Sequence, residues 1–519
     1  MNKTLVLSLA TIALLGTNLN AESMYTKFQA LEDEMKSLKL EVSALKSAKK
    51  IANSKIEDDE DKIDAVEVDK DSEEAQEDEE KMDVEAEIED IHGALSELNK
   101  ATSGNHLKFG VDYRFALDNM QYKMADGSEE NNDAFMTNRL WINMDWATNE
   151  NLSFTGQLAY NKAFGARSGA STGNNFETFD WIANENAYDD TIRVRSAYFL
   201  YRNDTFFETE VPWTFSIGRR PSTNGHLINL RDDDQATSPM GHAINVEFDG
   251  LSAKFSFDNW VNGMYVKFCA GRGMSNAAPK FAAAPYSTVD SGANPDIDLI
   301  GLIFVPYDNG QYAIATQYYF ANNLIDDSDG NATTPGFDTV GGLHSATINF
   351  KTNGIGNEIS NFLDDTTFFV SGAMSVTNPD GGKGMLGSAQ RKAGYSAWAG
   401  LQFPSLISDY GRWGLEYNYG SKYWRSITYG EDTNIGSKMA TRGSAYEAYF
   451  TEYLVDDILS LQVRYTYIDY NYSGSNGFFG NTTGAAMKIA DVMDTPMGNI
   501  AGSVVDTAQD IRFYLRYKY

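Results

Sequence analysis

Arginine recurs at the places in this chain where side-chain chemistry could be organised. Arg114, Arg139, Arg193, Arg195, Arg220, Arg464, Arg512 and Arg516 each stand at a polar position in a stretch that alternates apolar and polar residues. Carboxylates at such positions are fewer, with Asp112, Asp145 and Glu416 as examples. A further charged group, Arg231 followed by Asp232, Asp233 and Asp234, falls between two alternating stretches. Charges arrayed in this way attract, repel and pair ions, and they set selectivity where they line a pore. They point to no bond chemistry.

Motifs that could carry covalent or metal chemistry lack their context. Residues 169–173 fit G-x-S-x-G but lie in a Gly/Ser/Asn-rich loop, whereas a nucleophile elbow needs a strand before it and a helix after. Residues 382–387 fit G-x-G-x-x-G with no βαβ unit around them. The run at 326–331 resembles a calcium loop, but Ile325 stands where the first ligand is required. His92, His106, His226, His242 and His344 show no metal-ligand spacing, and Cys269 reads as a wall residue rather than a reactive thiol. The sequence thus predicts no enzyme, no metal and no cofactor.

Composition narrows the classes further. The 519 residues carry a formal net charge of −31, which disfavours nucleic acid as a partner because duplex binding needs a cationic face. A single Cys excludes an internal disulfide framework and Cys-rich metal sites. A polar average with 13% aromatic residues and 44 glycines suits a transmembrane barrel, in which half of each strand faces a polar lumen.

The elements that must position the arginines have a period of two. Leu107, Phe109, Val111, Tyr113 and Phe115 alternate with Lys108, Gly110, Asp112 and Arg114, and comparable runs centre on 140–146, 152–160, 461–467 and 511–519. Runs of about ten residues with one apolar face are the membrane-barrel signature. A soluble β-sandwich alternates too. Three features favour the barrel: short and long connections alternate, aromatics such as Trp141/Trp146, Tyr198/Tyr201 and Tyr417/Tyr419 cluster at strand ends, and the chain stops on a strand. Candidate strands begin near 107, 136, 151, 191, 212, 242, 251, 263, 297, 311, 340, 366, 394, 412, 441, 459 and 508. An even number is expected, so reading 251–272 as one strand gives about sixteen, with 14–18 possible. The predicted fold is an all-β transmembrane barrel of antiparallel strands over 105–519, preceded by an α-helical coiled-coil segment.

The N-terminal part divides by composition. Residues 1–21 read as a signal peptide, with Lys3, an apolar core and a small-residue exit at Ala21. Within 22–56, Met24, Phe28, Leu31, Met35, Leu38, Val42 and Leu45 are spaced alternately by four and three, the seam of a coiled coil. An acidic spacer follows at 57–83; from 57 to 90 only Lys62, Lys70 and Lys81 oppose a dense run of Asp and Glu, and such blocks repel and stay solvated. A second heptad segment at 84–104 carries Val84, Ile88, Ile91, Leu95 and Leu98. It either extends the same bundle or folds back as a hairpin.

Taken together, 24–519 resembles Gram-negative outer-membrane porins with a periplasmic N-terminal coiled coil. The ending Phe513, Leu515, Tyr517, Tyr519 resembles the C-terminal signal read by the barrel-assembly machinery, and residues 216–225 (SIGRRPSTNG) are similar to an uncharacterised outer-membrane barrel family, a domain of unknown function. The resemblance implies an outer-membrane location with helices in the periplasm, lipid and the assembly machinery as partners, and a homotrimer joined through the coiled coil. It also implies that loop 221–241, between the fifth and sixth strands, folds into the lumen, where Arg231 and Asp232–Asp234 form a constriction opposite a basic wall. The bland alternative has the arginines paired and neutralised, with the loop outside. The expected function is passive diffusion of small hydrophilic solutes or ions; the alternatives are a tether to the periplasm and an electron-conduit barrel.

Overall fold

The computed structural model describes residues 108–519 apart from 148, 166–190, 221, 290–294, 328–336, 357–358, 429–430 and 475–484. The expected signal peptide, coiled-coil seam, acidic spacer and second heptad lie outside the described residues, as does the G-x-S-x-G match.

The two-residue period is realised as sixteen antiparallel strands in one closed barrel. They are β1 Lys108–Met124, β2 Glu129–Ala147, β3 Leu152–Ala163, β4 Arg193–Asn203, β5 Trp213–Arg220, β6 Phe248–Ser256, β7 Tyr265–Met274 and β8 Ile297–Asp308, followed by β9 Tyr312–Asp327, β10 Phe337–Asn353, β11 Thr367–Pro379, β12 Ala393–Pro404, β13 Gly411–Gly420, β14 Gly443–Val455, β15 Leu459–Tyr470 and β16 Val505–Lys518. Each pairs with its sequence neighbour, and β16 returns to β1 with Arg516 opposite Arg114. Terminal Tyr519 extends that seam: its N–H donates to Val111 O at 2.8 Å and its carbonyl accepts from Val111 N at 2.7 Å. Closure leaves no edge strand, which is what allows a sheet to sit in hydrocarbon. Connections at one end are tight, as at 309–311 and 456–458, whereas 221–247, 275–296, 421–442 and 471–504 are long connections at the other.

Exposure along the strands is inverted relative to a soluble protein. On β1, Phe109 is 64% exposed and Val111 and Tyr113 are also open, whereas Asp112 and Arg114 are buried. On β15, Val463 and Tyr465 face out while Gln462, Arg464 and Thr466 are buried, and on β16 Ile511 and Tyr517 face out while Arg512 and Arg516 are buried. Apolar groups on the outside of a closed barrel and charges on the inside match a bilayer around it and a polar lumen within it.

Two expectations are corrected. Residues 251–272 are not one strand: they fall in β6 and β7, paired so that Lys254 faces Lys267. The turn between them is built by Asp258, whose carboxylate accepts from Gly263 N at 2.5 Å, and by Gly263 at φ +65°. Nor does a wall strand begin near 242. From Gly241 to Glu247 every residue is buried, so the segment has no face for lipid. It lies in the loop between β5 and β6, where Ile244–Asn245 pairs in parallel with Ile427–Thr428. The two corrections cancel, and sixteen strands remain. Trp141 also departs from its expected place at the rim. It is 5% exposed and lies inside, with the Arg139 guanidinium 3.5 Å and that of Arg195 4.2 Å from the ring centroid.

Candidate functional site

Loop 221–247 leaves the wall between β5 and β6 and reaches strands on the far side of the barrel. A five-residue helix, Ile228–Asp232, forms its inner turn. The apolar side chains of Leu227 and Ile228 seat it against Phe369, Trp398 and Met439. Its backbone is then held by the wall: Gln402 Nε2 of β12 donates to Leu230 O at 2.9 Å, and Gln462 Nε2 of β15 donates to Arg231 O at 3.0 Å. The second half packs Ala243, Ile244 and Val246 into an apolar cluster with Leu299, Tyr319, Leu343, Trp424 and Ile427.

A second loop, 421–442, is buried with it. Trp424, Ile427, Met439 and Ala440 are all enclosed. Two glycines make room. A Cβ on Gly394 of β12 would stand 2.1 Å from Trp424 N, and one on Gly420 would stand 2.0 Å from Thr441 O. Any larger residue at either position would push the loop off the wall. Nothing in the sequence pattern of 421–442 announces this burial.

Charged residues from both loops meet the arginines of the wall. Arg231 Nη1 lies 3.0 Å from Glu447 Oε1, with both side chains buried. Lys438 Nζ lies 2.5 Å from Glu447 and 2.7 Å from Glu416, and Trp398 Nε1 donates to Glu416 at 2.9 Å. Asp432 is paired with Arg114 and lies 3.3 Å from Arg512, while its backbone carbonyl accepts from Arg464 Nη2 and Arg512 Nη1 at 2.6 Å each. Arg512 also pairs with Asp118 at 2.5 Å. Arg516 bridges Asp112 at 2.5 Å and the loop residue Asp234 at 2.9 Å, and Lys518 reaches Asp234 at 2.7 Å. Asp233 accepts from Tyr453 OH at 2.6 Å and lies 3.4 Å from Arg412, while Asp232 sits 3.6 Å from its neighbour Arg231.

The loop carboxylates respond to these surroundings in different ways. Burial alone would raise the Asp432 carboxyl, but the Arg114 and Arg512 guanidiniums hold it well below the usual carboxylate range. Burial wins at the adjacent Glu431, whose carboxyl is pushed up although Ser437 and Thr428 hydroxyls donate to it. His242, in loop 221–247, is pushed down to about 3 by burial, with its two ring nitrogens each 2.8 Å from a hydroxyl, of Ser371 and of Ser396. A neutral imidazole held between two hydroxyls serves as a packing and hydrogen-bonding group.

The structure therefore brings together Arg114, Arg139, Arg195, Arg464, Arg512 and Arg516 from the wall with Arg231, Asp232 and Asp234 from loop 221–247. Arg139 lies 3.5 Å from Asp112, and Arg195 lies 2.8 Å from Glu247. Arg193 is not among them: it stands exposed at the first residue of β4 and donates to Thr191 Oγ1. Arg220 is apart as well, over the Tyr198 ring on the β5 side. Of the carboxylates the sequence offered as inward, Asp112 and Glu416 are buried while Asp145 lies exposed near the end of β2, and Asp118, Glu447 and Asp510 join the buried set. Asp118 and Glu447 stand at polar positions of alternating strands, so their inward direction was readable. Lys438 and Asp432, on an aperiodic loop, gave no such signal.

A search of curated proteins finds no relative of this sequence. Among solved structures, the chain is similar to the outer-membrane protein OmpT of Vibrio cholerae (12% identity, 80% of this chain and 97% of that one, TM-score 0.42). It is also similar to an anion-selective porin from Comamonas acidovorans (9%, 80% and 99%, 0.45) and to OprB of Pseudomonas putida (12%, 81% and 96%, 0.44). None of these names bears on what this barrel carries. Residues 129–519, from β2 through the closing strand, match the family described as a protein of unknown function, DUF3373, and the chain belongs to that family.

Proposed function

We propose that this protein is an outer-membrane channel through which small hydrophilic solutes or ions diffuse, with loops 221–247 and 421–442 setting its aperture. The supporting observation is the inversion of the barrel: apolar side chains outside, and inside a set of ionised groups spanned by a loop that crosses from β5 to β12 and β15. Barrels of sixteen to eighteen strands leave an aqueous channel unless something fills it. In the proposed constriction, Arg231 and Asp232–Asp234 face wall residues of both signs. The pairing means that they fix the loop more than they sort ions.

The test is single-channel recording of the refolded mature protein in a planar bilayer, with the reversal potential in a salt gradient. Discrete conductance steps are expected. Silence from protein shown to be folded and inserted would favour a second reading, a membrane anchor with a helical tether, which the burial of both loops inside the barrel supports. We also propose a homotrimer through the seam of 22–56, with the helices in the periplasm. Removing 22–100 should abolish crosslinked trimers without preventing insertion; trimers that persist would overturn that role for the seam.

A further inference from the structure

The β5–β9 side of the lumen holds a cavity of about 460 Å³. Loop 221–247 borders it through His226, Thr237 and Met240, and the wall borders it through β4 to β9. Three cations line it: Arg220 from β5, Lys254 from β6 and Lys267 from β7. Lys254 and Lys267 are direct cross-strand partners. Like charges placed directly opposite one another destabilise a sheet, so this arrangement costs the wall something.

Among the described lining residues, little offsets the charge of Arg220 and Lys254. Asp308 is the one carboxylate among the described lining residues, and its Oδ1 accepts from Gly310 N at 2.9 Å in the turn after β8. Aromatic faces hold two of the cations: the Arg220 guanidinium lies 4.1 Å from the Tyr198 ring centroid and Lys254 Nζ 4.1 Å from that of Tyr265. Arg220 Nη1 is buried without a hydrogen-bond partner among the described residues. A buried donor left unsatisfied is costly, and a cationic one more so. An apolar strip runs along one wall, with Ile303 and Val305 on β8 and Ala313 and Ala315 on β9, while Gln235 and Thr237 of the loop are polar.

We propose that this cavity is a binding site for a small organic anion, whose carboxylate or phosphate head is held by Arg220, Lys254 and Lys267 and whose apolar body lies along β8 and β9. An anion between Lys254 and Lys267 turns their repulsion into two attractions, and it adds a counter-charge beside the Arg220 guanidinium. The volume suits a molecule larger than an inorganic ion. The inference rests on the channel reading only for how the anion reaches the cavity.

Benzoate is the probe, titrated at low ionic strength into the folded full-length barrel in detergent and followed by ligand-observed NMR. Acetate carries the head without the body, and benzyl alcohol the body without the charge. Saturable benzoate binding is expected, with acetate and benzyl alcohol each weaker by about tenfold or more, and with Arg220→Gln and Lys254→Gln each weakening benzoate by about tenfold, the scale of one charge-assisted contact. Lys254→Arg keeps the charge and should retain binding, so a loss in Lys254→Gln cannot be laid to misfolding. Benzyl alcohol binding as tightly as benzoate, or benzoate binding that ignores both Gln variants, would overturn the anion site. Acetate binding as tightly as benzoate would overturn the apolar subsite. A barrel that conducts but binds no benzoate would sink this inference and leave the channel standing; one that binds benzoate but never conducts would do the reverse.

Discussion

On the side of the barrel built by β1 and β12–β16, cations and carboxylates meet in pairs and triads. On the side built by β5–β9, Arg220, Lys254 and Lys267 face a cavity with Asp308 as the described acid. The difference lies in what each charge is for. Arg231, Lys438, Glu416 and Glu447 are ion-paired with one another, and their geometry pins two loops to the wall. Removing water from such ions costs several kcal/mol each, and the cost is offset only by partners already in place. Arg220 and Lys254 have been brought inward with no ion-pair partner among the described residues. A charge that the fold has completed holds structure, and a charge that it has left incomplete is available to a solute.

The comparison breaks most visibly if the same change is made on both sides. Glu447→Gln keeps the shape but removes the counter-charge shared by Arg231 and Lys438, leaving two buried cations facing an amide. Loop docking should weaken by about 3 kcal/mol, the scale of a broken buried pair. Single-channel records should then show a larger or noisier conductance, and loop 421–442 should become open to protease. Lys254→Gln removes one of two opposed like charges and should leave the melting temperature unchanged or slightly raised. A melt in which both variants lose stability equally would show that the two sides do not differ.

Much of this arrangement was legible in the sequence, and the exceptions have physical causes. Alternation alone gave the inward direction of Arg114, Arg464, Arg512 and Arg516, because a two-residue period assigns faces without knowledge of neighbours. It also placed loop 221–241 between the fifth and sixth strands. The misplaced strand boundaries at 242–272 arose where the local pattern has two causes. Ala243, Ile244, Val246 and Phe248 are apolar because they are buried in a lumen cluster, not because they face lipid, and no single-sequence period separates those cases. Loop 421–442 was invisible for a similar reason. Trp424 and Ile427 are buried in part by residues more than a hundred positions away, such as Ala243, Ile244 and Leu299, and Lys438 finds Glu416 and Glu447 only once the barrel has closed.

Acidity sharpens the comparison with a smaller effect, through the adjacent loop residues Glu431 and Asp432. Asp432 is held well below the ordinary value of 3.8, so its contribution to docking is present at neutral pH and persists until the pH falls through that lowered value. Glu431 is raised above the ordinary value of 4.5 by burial, so the folded loop takes up a proton more readily than the unfolded chain. For that group stability grows as pH falls from neutral towards the ordinary value. The two signs agree over this window: between pH 7 and 5, loop 421–442 should stay docked or dock more firmly. Amide exchange, corrected for its intrinsic pH dependence, would show protection at Trp424 and Ile427 that holds or rises; protection that falls would mean that another group controls the loop.

The smallest effect belongs to an ion pair on β7 and β8 that does not line the cavity. Arg272 of β7 lies 2.7 Å from Asp298 and 2.8 Å from Asp296, a geometry as short as many in the lumen, but its side chain is 46% exposed. Water and salt screen such a pair, and holding long side chains in one geometry costs entropy. Arg272→Gln should therefore change stability by less than about 1 kcal/mol and leave the conductance untouched. Since its distances match those of Lys438 to Glu416, the variant separates distance from burial as the source of strength. An Arg272→Gln loss as large as that of Glu447→Gln would mean that proximity alone sets the strength of these pairs, and the contrast between completed and incomplete charges would lose its physical basis.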